Sequence, residues 1–105
     1  MRWRNYILID KVPEPCDDLF LWATWFEMYR DQCILKKTKV SDDVEVSTVF
    51  LGTNHNFGEG EPVLFETMVF GGEHNHYRRR YCTYDEALAG HERTIEMIFD
   101  IHNEI

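Results

Sequence analysis

Basic side chains are scarce in this 105-residue chain: eleven Lys and Arg stand against nineteen Asp and Glu, a formal net charge of −8. That deficit argues against general nucleic-acid binding, because affinity for a phosphate backbone comes from cations that displace counterions. Cysteine is scarcer still. Cys16, Cys33 and Cys82 are odd in number, widely spaced and without a C-x-x-C pair, so reduced thiols in a cytosol are expected rather than a disulfide framework. No apolar run approaches the roughly 20 residues of a membrane-spanning helix, and the start MRWRNYILID is too short in apolar residues for a signal peptide. No glycine-rich phosphate loop precedes a helix; the loop NHNFGEGE lacks the needed Lys and Ser/Thr, and Ser47 and Thr48 sit in no nucleophile elbow. Neither nucleotide triphosphatase nor serine hydrolase chemistry is supported.

What is present suits one domain spanning 1–105. Hydrophobic residues make up 44% and aromatics 14%, enough to build a core despite the charge. Residues 2 to 9 read as a strand that Pro13 and Pro15 then forbid from continuing. Asp17 is placed to cap a helix over about 17 to 31, whose LFLWATWFEMYR run has two apolar stripes and predicts a helix that is sandwiched or lies at a subunit contact. CILKKTKV (33 to 40) and VEVSTVFL (44 to 51) form a hairpin, Pro62 introduces a strand over 63 to 70, and YRRRYC (77 to 82) returns beside it. Thr83 and Glu86 have the spacing of a capping box, opening a second helix from about 84 to 102 with Ala87, Leu88, His91, Ile95, Ile98 and His102 on one stripe. Gly90 inside it suggests a close approach. The expected fold is α+β: an antiparallel sheet of about five strands, order β-α-β-β-β-β-α, with both helices on one face.

Glu66 is the conspicuous residue. It stands in a strand apolar on both faces, where a carboxylate needs a partner, either an ion pair or a ligand in a pocket. The only strongly basic segment is GGEHNHYRRRY, residues 71 to 81. Arg78, Arg79 and Arg80 supply fork-shaped donors for phosphate, and Tyr77 or Tyr81 a stacking surface, although a charged edge strand also resists aggregation without any ligand. His91 and His55 are candidate donors to the same pocket as Glu66; a core histidine is the alternative for His91. His74 and His76 form an H-x-H pair that His55, Glu66 or His91 could extend into a metal site, but no spacing is diagnostic and no metal or cofactor is expected. The tripeptide His74-Asn75-His76 is no nuclease signature.

The words VSTVFLG (46 to 52), PVLFETMVFGG (62 to 72) and EALAGH (86 to 91), with WATWFE (22 to 27), His55, Tyr81 and Thr83, resemble a family of small uncharacterised proteins encoded by phages and prophages. The resemblance spans about residues 6 to 98 and implies a setting in the host bacterial cytosol. Small phage proteins often act on host defence. The leading expectation is therefore a non-enzymatic counter-defence protein, homo-oligomeric, that sequesters a small nucleotide-derived phosphorylated signal. An acidic inhibitor binding a host defence protein directly, for instance through Glu92 and Glu96, is the alternative. A small phosphodiesterase using His55, Glu66, His76 and His91 is the third.

Overall fold

The computed structural model describes residues 4–103, with side chains for residues 4–99. Residues 2 and 3 of the expected first strand, and the side chain of His102, lie outside the described residues. The architecture is α+β, but the strands divide into two antiparallel sheets, of two and four strands, rather than one sheet of five. Strand β1 (Tyr6–Ile9) pairs with β2 (Val12–Pro15). Helix α1 (Leu19–Met28) and a 3-10 turn (Arg30–Cys33) follow. Strands β3 (Ile34–Ser41), β4 (Val44–Phe50), β5 (Phe65–Phe70) and β6 (Arg78–Tyr81) then build the larger sheet in chain order, and α2 (Tyr84–Asn103) closes the chain.

The prolines that ought to end the first strand lie inside β2. Pro13 and Pro15 stand opposite Leu8 and Tyr6. The Cys16 amide donates to the Asn5 carbonyl, so the ladder bonds fall on alternate residues that skip both prolines. The connecting turn puts Asp10 and Lys11 both at positive φ, 56° and 70°. That two-residue geometry matches the twist of a hairpin.

Alternation along the larger sheet sorts its side chains. Val46, Thr48 and Phe50 of β4 lie opposite Val69, Thr67 and Phe65 of β5, and this face packs on α2. Ile98 of α2 joins Val46 and Val69 in one apolar cluster, and Ala87 joins Phe50, Phe65, Leu64, Tyr6 and Leu8 in another. The capping box forms as expected: the Glu86 amide donates to Thr83 Oγ1 at 3.1 Å, and Glu86 Oε1 accepts from the Thr83 amide at 3.0 Å. Gly90 lets α2 approach the sheet, for a Cβ there would fall on the ring and hydroxyl of Tyr81.

Helix α1 is shorter than its apolar run and is capped by Asp18, not Asp17: the Asp18 carboxylate accepts from the Leu21 amide at 3.0 Å. Its contacts are with β1 and the Phe50 end of the sheet. The Trp22 indole N–H donates to the carbonyls of Tyr6 and Gly52, at 3.1 and 3.2 Å, while Phe26 stacks on Phe50 and Trp25 meets it edge-on. Gly52, at φ 77°, makes room for Phe26.

Candidate functional site: an arginine cluster on the outer sheet face

The face of the larger sheet opposite α2 carries Val49 of β4, Glu66 and Met68 of β5, and Arg78 and Arg80 of β6. Register makes this concrete: Glu66 lies opposite Val49 on one side and Arg80 on the other, and Met68 lies opposite Arg78. Glu66 is thus on the central pair of strands, and its side chain is only 13% exposed although no helix covers it. Arg80 Nε donates to Glu66 Oε2 at 3.0 Å, and Arg78 Nε stands 3.7 Å from the same oxygen. Both arginines remain open to solvent on their outer sides. Among the described residues neither has a second acidic partner.

His55 completes the cluster from the loop after β4. Its amide donates to the Val63 carbonyl and its Nε2 lies 3.2 Å from Thr53 Oγ1. Desolvation foremost, then Arg80, with Arg4 and Arg78 adding to it, lowers the His55 pKa below 6.5 against the opposing pull of Glu66. The imidazole therefore sits in the field of three arginines and one carboxylate. Arg4 carries no sequence signal for this place; the bridge of Asn5 to Thr53 brings the incoming chain beside the His55 loop, where the Arg4 guanidinium lies over Phe57 at 5.1 Å. Two asparagines hold this loop. Asn54 Oδ1 accepts from the amides of Asn56 and Val63, and Asn56 Nδ2 donates to the carbonyls of Glu59 and Glu61. Their spacing within NHNFGEGE, with glycines between acceptors, is the signal that could have identified a structured loop.

The other expected residues go elsewhere. Arg79 lies opposite Thr67, so it leaves the sheet on the α2 side, away from Arg78 and Arg80. Tyr81 is in the core beneath Gly90, its hydroxyl buried and unpartnered. Tyr77 packs against Val46, Val69 and Ile98. Neither tyrosine presents a ring to the arginine face. His91, fully buried, lies on the far side of the sheet: Nδ1 bonds Thr48 Oγ1 at 2.7 Å, Nε2 bonds Thr38 Oγ1 at 2.9 Å, and Thr48 in turn bonds Thr67. The apolar stripe thus placed a histidine where three threonine hydroxyls needed a polar lid. Glu66 and His91 share no cavity. Among the described residues no three His, Cys, Asp or Glu side chains are grouped to hold a metal, and His74 and His76 do not extend into one. Among the described residues no helix is long and apolar enough to cross a membrane.

Beside α1 is a groove of about 560 Å³ whose lining includes Trp22, Ala23, Phe26, Ile34 and Val49 together with the charged Glu27 and Arg30. Comparison with protein-family models, with curated proteins and with solved structures gives no match.

Proposed function

We propose that this chain binds a small phosphorylated, nucleotide-derived ligand on the outer face of its four-stranded sheet and holds it without turning it over, as a sink for a signal in a phage-infected bacterial cytosol. The observation that carries the reading is the pair Arg78 and Arg80, both directed at one carboxylate through Nε and open beyond it, with Arg4 and His55 alongside. Glu66 neutralises one positive charge, orients the Arg80 guanidinium through a hydrogen bond and holds Arg78 beside it by charge alone, while three arginines against one acid leave a local excess of positive charge in a chain of −8. Such pre-oriented forks match phosphate oxygens in pairs. The cellular setting rests on the family resemblance.

Calorimetry against ADP-ribose derivatives and cyclic oligonucleotides tests this. Arg78→Ala and Arg80→Ala are expected to weaken binding about tenfold or more each, the weight of a charge-assisted hydrogen bond. Arg79→Ala, on the other side of the sheet, is expected to change little. Absence of heat with every ligand removes the proposal. Recovery of intact ligand after heat denaturation separates capture from the phosphodiesterase reading.

A further inference from the structure

Resting on that reading, we infer that the ligand carries a flat aromatic base, seated in the groove under α1 while its phosphates lie on Arg78 and Arg80. Ile34, Val49, Glu66 and Arg80 form one continuous cross-strand row: Ile34 lies opposite Val49, Val49 opposite Glu66, and Glu66 opposite Arg80. A β-bulge after Ile34 is what brings that side chain into the row, since the register shifts between Ile34 and Lys36. Strands are spaced by about 4.8 Å, so Val49 at the groove and Arg80 are about 10 Å apart, comparable with the span from a base to its phosphates.

The groove has the chemistry of a base seat. Its floor is aliphatic, Ile34 and Val49, and its wall is aromatic, Trp22 and Phe26. The Trp22 N–H is already committed to the Tyr6 and Gly52 carbonyls, so its ring offers contact area rather than a donor. Glu27 and Arg30, also in its lining, supply an acceptor and a donor for the edges of a base. Tyr77 and Tyr81, the aromatics nearest in sequence to the arginines, are packed elsewhere and leave this role open. Phe70 is exposed on the same face but is not part of the groove's lining.

The test compares ADP with inorganic pyrophosphate on the full chain. ADP is expected to bind at least tenfold more tightly and to change tryptophan fluorescence, which pyrophosphate leaves unaltered. Ala23→Leu, at an exposed helical position, crowds the groove without threatening the fold and is expected to bring ADP affinity down to that of pyrophosphate, with pyrophosphate itself unaffected. Equal affinity for the two probes overturns the base seat and leaves the anion site standing. Failure of both probes to bind overturns the site as a whole. Loss of the ADP advantage in Phe70→Ala, with Ala23→Leu unaffected, moves the base away from the groove and equally overturns the inference.

Discussion

His91 shows how a titratable group in an apolar stripe becomes structural. Burial foremost lowers its pKa from 6.5; Glu92 pulls it upward and Lys36 downward. An unfolded chain would therefore take up a proton below about pH 6.5 that the folded chain refuses, so stability is level above that pH and falls as the pH drops through it toward the lowered folded value. His55 is lowered as well and acts in the same direction, so subtraction is needed to isolate His91. His91→Gln should cost about 1–3 kcal/mol at pH 7.5 by disturbing the Thr38 and Thr48 bonds, and the gap to the unaltered chain should narrow at pH 5.5. Urea midpoints at the two pH values measure this; a gap that stays constant contradicts it. Tyr81 makes the complementary case. Its buried hydroxyl has no partner, so Tyr81→Phe should raise stability by about 1 kcal/mol and leave ADP binding unchanged. A fall in affinity would return Tyr81 to the ligand site.

At the scale of elements, Gly90 joins α2 to the sheet. Alanine is favoured over glycine in a helix by about 1 kcal/mol, but a methyl group at residue 90 would require the Tyr81 ring to move, an overpacking that costs about 1–3 kcal/mol. Gly90→Ala is therefore expected to lower the melting temperature, and an unchanged or raised value would show that the contact is slack. This close approach was readable in the sequence, as were the capping box at Thr83 and the pairing of residues 33 to 40 with 44 to 51, because each depends on local spacing. The β1–β2 hairpin was not readable. Its turn uses Asp-Lys in place of a glycine, and its prolines are tolerated only because the ladder skips them, which depends on register. The site was half legible for the same reason. Residue type marked Glu66, Arg78 and Arg80, and alternation separates Arg79 from the latter two, but that Glu66 faces Arg80 and Val49 is a property of three strands in register. Arg4 and the α1 groove come from segments far away in sequence, with no local pattern to connect them.

Across the whole molecule, the exposed apolar side chains of α1 and the arginines of β6 lie on different elements, so opposite salt responses are expected of a contact through the one and of an anion held by the other. Helix α1 buries no residue fully and leaves Leu19, Phe20, Leu21 and Met28 exposed, Phe20 at 82%; Glu27 is its only charged residue. A second copy packed on these apolar side chains would bury little charge beyond Glu27, while the −8 charge on each chain would oppose the approach. Ten residues make a helix only about 15 Å long, too short for a pair of them alone to reach the roughly 1,200–2,000 Å² of a stable interface, so any association through α1 is expected to be weak and reversible. Screening weakens the repulsion and leaves apolar burial intact, so association through α1 should strengthen between 50 and 500 mM salt. Phosphate held by Arg78 and Arg80 should respond in the opposite sense, because there the attraction is what salt screens. Sedimentation and calorimetry across one salt series separate the two. Phe20→Glu should leave a monomer at every salt concentration while binding ADP as before, since Phe20 points away from the groove that Trp22 and Phe26 line. A monomer without the substitution, at high salt and micromolar concentration, removes the α1 interface; loss of ADP binding in Phe20→Glu would show that the ligand site needs the second copy.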